Sequence, residues 1–314
     1  MRPRTLLRER AFTLTELLVV MAIIAGLIAL LIPAFGAVQE SSRSARCKSN
    51  LHQLALAVDM YHTDNNRFPP GQFHGPFGEG PDSHAWSWQS RLLPYIEEGD
   101  LFNQGGVPTK TLRESGIADR QIALFLCPSD GDSNAGPRTD AGNLTGFAVG
   151  QSNYKAVSGA NWGADSSQHK TDIGTDWAND GVNGSRDGLE KGDGAMFRTD
   201  IFSPRGKRNV TDGLSKTFLI GEEVPRKDSW CSWPYANNAY STCAIPPNVQ
   251  PQPGGDYSPL WWPNVQSFRS HHPGGLHFAM ADGAVHLIRD EIDLQTYRAL
   301  ATIAGNESVE VGEE

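Results

Sequence analysis

The chain has 314 residues and a formal net charge of −9, and 39% of its residues are hydrophobic. This length suffices for one large domain or two small ones, and the 8 Trp and 13 Phe exclude an intrinsically disordered chain. The first eleven residues carry +3 and the remainder −12, which argues against a nucleic-acid partner because phosphate binding needs clustered cations. The 33 Gly and 20 Pro favour turns, short strands and long loops over a helical bundle.

An apolar run begins at Phe12 and ends at Ile32, which is long enough for a helix that spans a membrane. Four arginines precede it, as is typical of a cytoplasmic flank, so we expect a single-pass membrane protein with its body on the exported side. Glu16 is the one charge inside the run, and a carboxylate in a membrane segment is costly and usually functional. A secretory signal peptide and a plain anchor with a stray acid are the alternatives, which the length of the run and Glu16 disfavour.

The segment from Arg10 to Leu17, RAFTLTEL, resembles the prepilin cleavage and methylation motif of type IV pilins and type II secretion pseudopilins. The resemblance implies that residues 1–11 are a leader peptide, that a prepilin peptidase cuts between Ala11 and Phe12, and that the new amine of Phe12 is methylated. Ala11 departs from the motif, in which Gly is usual at this position.

The same resemblance gives Glu16 a role in assembly, since in that family the glutamate pairs with the N-terminal amine of a neighbouring pilin-like subunit. A buried carboxylate facing an ammonium in lipid is far less costly than either charge alone. Residues 12–35 are then the transmembrane helix, and Pro33 falls where pilins place their first helix kink.

Residues 36–66 are predicted to continue the same helix as an amphipathic half, which ends before the Pro-Pro-Gly at 69–71. Its apolar stripe recurs at steps of three and four residues and comprises Leu51, Leu54, Ala55, Val58 and Tyr61. The sequence therefore predicts an α+β, pilin-like fold, with one long N-terminal helix packed on an enlarged, loop-rich antiparallel β body at 67–314.

Within the body, apolar runs predict strands at 125–127, 153–157, 218–220, 276–280 and 284–288, and short helices within 86–95 and 294–303. The last two strands flank Asp282-Gly283, which favours a two-residue hairpin turn. In that register, one set of side chains faces the core and a second set lies on the opposite face of the hairpin. The core-facing set is Phe278, Met280, Val285 and Leu287, and the opposite set is His277 and His286.

Six pieces of the chain, in order, resemble the planctomycete-type DUF1559 family of prepilin-anchored proteins of unknown function. The last piece is the C-terminal H-x9-DG motif formed by His272, Asp282 and Gly283. The resemblance implies a pseudopilin-like fold with an enlarged body and carries no activity. The other five pieces lie at 47–71, 88–95, 125–130, 152–154 and 211–222.

The chain has four cysteines and no CxxC pair, which disfavours a zinc ribbon or a thioredoxin-like motif. An exported body permits disulfides. Two pairings are hypotheses, Cys231–Cys243 across a short loop and Cys47–Cys127 between the helix and the body. Four buried free thiols are the alternative.

Two clusters are candidate metal sites, although the sequence favours plainer roles for both. His271, His272, His277, His286 and Asp282 include ordinary ligand types, but their spacing fits no known pattern. The plainer role is that His272 hydrogen-bonds backbone and Asp282 sets the turn. Oxygen-rich loops can bind calcium, but a polar loop without an ion is favoured for the second cluster. That cluster comprises Asp176, Asp180, Asp187, Asp193 and Asp200.

The expected function is a non-catalytic, membrane-anchored pseudopilin-like subunit of a type II secretion or type IV pilus-like assembly. Its partners are the membrane, the prepilin peptidase and other pilin-like subunits. No catalytic signature favours an enzyme. The alternative is a prepilin-anchored recognition module that binds glycan or protein through its aromatics. Those aromatics are Trp230, Trp233, Tyr235, Tyr240, Trp261 and Trp262.

Overall fold

The computed structural model describes residues 13–74, 80–131, 136–161, 189–249 and 266–305. The chain divides into two compact units, with the boundary between Arg43 and Ser44. The predicted leader and the Ala11–Phe12 cleavage site lie outside the described residues.

In the described part of the chain the secondary structure is α+β. The helices are α1 (Leu14–Asn65), α2 (Trp88–Leu92), α3 (Gly99–Gly105), α4 (Leu112–Ser115) and α5 (Leu294–Ala299). The strands are β1 (Tyr154–Val157), β2 (Phe218–Glu222), β3 (Tyr240–Ser241), β4 (Gly275–Met280) and β5 (Val285–Arg289).

Helix α1 starts with a capping box formed by Thr13 and Glu16. The Glu16 carboxylate accepts hydrogen bonds from the Thr13 backbone N–H at 2.9 Å and from its hydroxyl at 2.8 Å, and the Glu16 N–H donates to that hydroxyl at 3.3 Å. The helix continues past Pro33, so this proline ends the apolar run and not the helix. No helix in the described part of the chain is long and apolar enough to cross a membrane.

In the second unit, α1 packs one face against the body. The predicted apolar stripe from Leu51 to Tyr61 is buried, with no member more than 8% exposed. Leu56 and Met60, which lie off the stripe, remain 46% and 53% exposed. The amphipathic prediction for this part of the helix is therefore confirmed.

The sheet has the strand order β3-β1-β2-β4-β5. Strands β1, β2, β4 and β5 pair antiparallel in that order, whereas β3 pairs parallel with β1 through Ala156 and Tyr240. The sheet is therefore mixed, which corrects the prediction of an antiparallel body. Strand β3 has only two residues, too few to show a strand period in the sequence.

The β4–β5 hairpin is shifted by one residue from the predicted register. The opposite pairs are Leu276–Ile288, His277–Leu287, Phe278–His286 and Ala279–Val285. Residues that lie opposite share a face, so Val285 and Leu287 lie on the His277 face and the prediction for β5 is wrong. On β4 the prediction is confirmed, because Phe278 and Met280 are fully buried in the core.

The shift arises in the turn. The Gly283 N–H donates to the Met280 carbonyl at 2.9 Å, and the Met280 N–H donates to the Ala284 carbonyl at 2.8 Å, so the loop has three residues instead of two. Gly283 has a φ of 93°, as expected for the glycine that ends a three-residue hairpin loop. Asp-Gly is compatible with both loop lengths, so the sequence alone does not separate them.

Gly221 in β2 offers a test of the core packing. A Cβ at this position would lie 2.5 Å from the Phe278 ring and 2.6 Å from the Phe268 ring, and both rings are fully buried. We expect Gly221→Ala to lower the free energy of unfolding by about 2 kcal/mol, because overpacked cores rearrange at that cost. Urea denaturation of the purified full chain measures it.

The matched control is Gly99→Ala in α3, where a Cβ meets no atom within 4 Å. This change should leave stability equal or raise it by up to about 1 kcal/mol, since Ala favours helix over Gly. Equal destabilisation by the two variants would contradict the packing of β2 against β4.

Candidate functional site

Glu222, the last residue of β2, has a buried carboxylate that contacts two histidines. Glu222 is 2% exposed. Its carboxylate accepts a hydrogen bond from the His277 backbone N–H at 2.7 Å and lies 3.3 Å from His277 Nδ1. His272 Nε2 lies 3.2 Å from Glu222 Oε1. The first strand of the hairpin and the segment before it are thus both attached to the last residue of β2.

The electrostatics of Glu222 follow from this geometry. Burial raises the pKa of the Glu222 carboxyl, but the hydrogen bonds and charges of His272 and His277 outweigh it and lower the pKa to about 2. The carboxylate is therefore ionised at neutral pH, although almost no water reaches it.

A disulfide lies directly beside this carboxylate. Cys47 on α1 is bonded to Cys127, with their Cα atoms 5.0 Å apart. Cys127 Sγ lies 3.8 Å from His272 Nε2. One ligand atom from each of Cys47, Cys127, Glu222 and His272 lies within 4.8 Å of the others, and all four residues are buried. These four residues are here named the Cys–Glu–His cluster.

Asn153, the residue before β1, holds the neighbourhood of the cluster together through its side-chain amide. Its side-chain oxygen accepts from the Cys127 N–H at 2.9 Å. Its side-chain amide donates to Asp130 Oδ2 at 2.7 Å and to the Glu223 carbonyl at 3.0 Å. One buried amide thus joins the Cys-Pro-Ser-Asp segment to the chain that leaves β2.

The helix side of the cluster is held in a similar way. The Tyr154 hydroxyl donates to the Cys47 carbonyl at 3.3 Å, and His52 Nδ1 lies 2.9 Å from the Gly283 carbonyl. The H-x9-DG motif is therefore split between two contacts, with His272 at the cluster and the hairpin turn against α1.

The five candidate ligands named from the histidine-rich segment do not form one group. His272 and His277 meet at Glu222, and the His272 ring lies within hydrogen-bond distance of that carboxylate. His271 is 42% exposed and lies 3.7 Å from Asp130, and His286 lies on β5 opposite Phe278.

Asp282 sets the hairpin turn, because its carboxylate accepts from the Ala284 N–H at 2.9 Å. Sequence reasoning missed Glu222 as the centre of the site, although it lies in one of the quoted family pieces. The signal was the presence of cysteine, glutamate and histidine in four separate family pieces of the chain.

The predicted Cys231–Cys243 disulfide is not formed. Both residues are buried free thiols, and Cys231 Sγ donates to the Ser152 carbonyl at 2.8 Å. Burial raises the pKa of each thiol, which keeps it protonated and unreactive. Closeness in sequence was a poor guide, because the two side chains are held by different neighbours.

A second set of buried charges lies around Glu223, the residue that follows β2. Lys155 pairs with Asp228, and Arg269 pairs with Glu223 at 3.3 Å. Burial raises the pKa of the Glu223 carboxyl. This group of ion pairs fixes the loop after β2 and stands apart from the histidines.

The candidate calcium ligands in the described part of the chain close loops. Asp200 accepts from the Gly71 N–H at 2.6 Å and from the Phe197 N–H at 3.3 Å. Asp193 accepts from the Ala160 N–H at 2.8 Å. Asp176, Asp180 and Asp187 lie outside the described residues.

Three of the four aromatic candidates in the described part of the chain belong to the core. Trp233, Tyr235 and Tyr240 are fully buried and Trp230 is partly buried. Trp233 Nε1 donates to the Arg120 carbonyl at 2.7 Å. The three fully buried side chains offer no stacking surface, and Trp261 and Trp262 lie outside the described residues.

Comparison with known proteins gives the family. A family model described as "Protein of unknown function (DUF1559)" matches residues 36–295. The chain belongs to the DUF1559 family. The matched range contains every residue of the Cys–Glu–His cluster, so the site lies within the part that this DUF1559 protein shares with its family. No solved structure matches the chain.

A shorter match covers the N-terminal region. Over 62 residues the chain is 39% identical to Type II secretion system core protein G of Pectobacterium carotovorum subsp. carotovorum and 39% identical to that of Klebsiella pneumoniae. The same length is 36% identical to the protein of Escherichia coli K12. The match spans 20% of this DUF1559 protein and 40 to 44% of these curated relatives, which is less than half of their length.

The disulfide of the cluster makes a measurable prediction. It closes a loop across 80 positions, so by chain entropy it stabilises the fold by about 4 kcal/mol. We expect the double variant Cys47→Ser/Cys127→Ser to lose about that much and to become insensitive to reductant, as measured by urea denaturation with and without dithiothreitol.

The double variant Cys231→Ser/Cys243→Ser is the control for that experiment, since both thiols are free in the structure. It should keep the full sensitivity of the wild type to reductant. Loss of that sensitivity in the control would show that the disulfide joins Cys231 and Cys243 and not Cys47 and Cys127.

Asp200 makes a prediction about pH. Burial raises its pKa from 3.8 to about 8. Between these values the folded chain holds a proton that the unfolded chain has released, so stability falls as pH rises, by up to about 1.4 kcal/mol per pH unit. Asp200→Asn should flatten the profile of unfolding free energy between pH 4 and pH 8 relative to the wild type, as chemical denaturation at each pH will show.

Asp282→Asn is the control for the pH experiment, because it makes the same chemical change at an exposed aspartate and leaves Asp200 in place. It should keep the slope of the wild type. Parallel profiles of unfolding free energy for the wild type and Asp200→Asn would contradict the prediction, because they would show that folded Asp200 is ionised between pH 4 and pH 8.

Proposed function

We propose that the chain is a non-catalytic, membrane-anchored pseudopilin-like subunit of a type II secretion or type IV pilus-like assembly. The observation that carries this proposal is the 62-residue match to Type II secretion system core protein G in the N-terminal region. Assembly with other pilin-like subunits is the function that this region supports best.

The first unit supports an anchoring role through its side chains. Leu14, Leu17 and Met21 are 78%, 57% and 64% exposed on α1. Contiguous apolar surface of this kind is stabilised when lipid or a neighbouring helix removes it from water. The arginines at the N-terminus place that end in the cytoplasm and the body on the exported side in this proposal.

Glu16 has two roles in this proposal. Within one chain it completes the capping box with Thr13. Between chains it pairs with the N-terminal amine of a neighbouring subunit, once a prepilin peptidase has cut between Ala11 and Phe12 and methylated Phe12. The first role needs only a hydrogen-bond acceptor, whereas the second needs a negative charge.

The body supports a structural role more than a catalytic one. The Cys–Glu–His cluster is buried, and its carboxylate is held by two histidines instead of facing a cleft. Three of the four described aromatics that the recognition alternative requires at the surface lie in the core, and these are Trp233, Tyr235 and Tyr240.

Two variants separate the roles of Glu16. Glu16→Gln keeps a capping box, because Gln serves at this position, but removes the charge. We expect it to reduce crosslinking between subunits in membranes by more than about tenfold, since breaking one partner of a buried ion pair costs well over 1.4 kcal/mol. Crosslinking is measured through Leu27→Cys, a position that is 57% exposed.

Thr13→Ala is the matched control. It weakens the cap by about 1 kcal/mol and keeps the charge, so crosslinking should stay within about twofold of the wild type. Equal loss of crosslinking in both variants would mean that Glu16 acts only as a helix cap. A wild-type chain that is strictly monomeric in membranes would overturn the proposed assembly.

Mass spectrometry of the mature N-terminus tests the cleavage, and Ala11→Leu should block it.

A further inference from the structure

The Cys–Glu–His cluster has the residue types and the spacing of a metal site. Thiolate, imidazole and carboxylate are the three side-chain ligands that zinc takes in proteins, and structural zinc sites use four of them in a tetrahedron. The cluster supplies two sulfurs, one ring nitrogen and one carboxylate oxygen within 4.8 Å of one another.

Two distances in the cluster, both to the His272 ring, match the edges of a zinc tetrahedron, whereas the Cys47 and Cys127 sulfurs are bonded to each other in this structure. Zinc lies about 2.3 Å from sulfur and about 2.0–2.2 Å from nitrogen or oxygen, which gives edges of about 3.4 Å from nitrogen to oxygen and about 3.6 Å from nitrogen to sulfur. His272 Nε2 lies 3.2 Å from Glu222 Oε1 and 3.8 Å from Cys127 Sγ. Each observed distance is within about 0.2 Å of the ideal edge.

The surroundings hold these ligands in place. His277 donates its backbone N–H to Glu222 Oε2 at 2.7 Å, and Oε1 lies 3.2 Å from His272 Nε2 and 3.3 Å from His277 Nδ1. Asn153 fixes the backbone of Cys127 through a hydrogen bond of 2.9 Å. Hydrogen bonds that orient the ligands in this way are a regular part of protein metal sites.

We propose that the reduced form of the chain binds one Zn²⁺ at Cys47 Sγ, Cys127 Sγ, His272 Nε2 and Glu222 Oε1, and that the zinc-bound and disulfide forms exclude each other. A sulfur in a disulfide has no thiolate charge to give to a metal. A dithiol reductant opens the disulfide by giving it two electrons and two protons and is itself oxidised to a disulfide. The two cysteine sulfurs that this frees need to lie about 3.8 Å apart around zinc.

The chemistry of both steps balances. Two cysteine thiols and Zn²⁺ give a zinc dithiolate and two protons. A disulfide-bearing oxidant, R–S–S–R, then takes two electrons from the thiolates and two protons from water, which yields the Cys47–Cys127 disulfide, two R–SH and free Zn²⁺. The metal is thus released as the bond between the sulfurs forms. This inference does not depend on the proposed assembly function.

The test uses the full chain in the Cys231→Ser/Cys243→Ser background, so that only the cluster contributes thiols. The reduced protein, kept under nitrogen, should hold one zinc per chain after dialysis and release two protons on binding. With Co²⁺ it should show an intense thiolate-to-metal absorption band. The oxidised protein should hold no zinc. Addition of oxidised glutathione to the zinc form should release the metal as the disulfide appears.

His272→Asn removes one ligand and should weaken zinc affinity more than tenfold. The matched control is His271→Asn, the adjacent histidine whose ring lies outside the cluster, and its affinity should equal that of the wild type. Where His272→Asn fails to fold, the rate at which oxidised glutathione closes the dithiol gives a second readout, since bound zinc should slow it in the parent chain. A reduced chain that binds no more zinc than the oxidised chain overturns the proposal, as does equal loss in both histidine variants.

Discussion

Burying a carboxylate is costly unless other groups replace the water it loses, and the body of this chain is arranged around one such carboxylate. Glu222 is held by the backbone and ring of His277 and by the ring of His272. These contacts attach the end of β2 to β4 and to the segment that precedes β4. Removing either ring leaves a buried charge with part of its stabilisation gone, so the three residues depend on one another.

The surroundings of Glu222 explain why short motifs that are far apart in the sequence lie close together in the fold. The cysteine on α1, the Cys-Pro-Ser-Asp segment, the Ser-Asn-Tyr segment and the Gly-Glu pair each supply one component around the H-x9-DG histidine. None of these pieces can bury its polar groups alone. A loop-rich body gains a fixed arrangement from such a polar centre, because a buried polar network whose hydrogen bonds are satisfied is rigid.

Local patterns in the sequence predicted most local parts of the fold, but no strand forms at 125–127, where Ala123–Phe125 is a 3-10 helix. The apolar stripe of α1 and the approximate positions of β1, β2, β4 and β5 follow from periodicity. The two-residue strand β3 has no period to detect, and the Asp-Gly pair fits two loop lengths that differ in register. The site was not predictable in the same way, because its contacts join residues that are 50 positions apart at Glu222 and His272 and 145 positions apart at Cys127 and His272. Pairing Cys231 with Cys243 relied on nearness along the chain, whereas the fold separates them into different packing environments.

The bond between Cys47 and Cys127 also changes how the chain carries mechanical load. A pull on the N-terminal end of α1 travels along the backbone to Cys47 and crosses the sulfur bridge to Cys127. The intervening residues 48–126, including the buried stripe of α1 from Leu51 to Tyr61, lie outside the covalent path that is stretched. Tension on the helix can therefore unravel it only as far as Cys47, and the part that packs on the body is shielded from that tension.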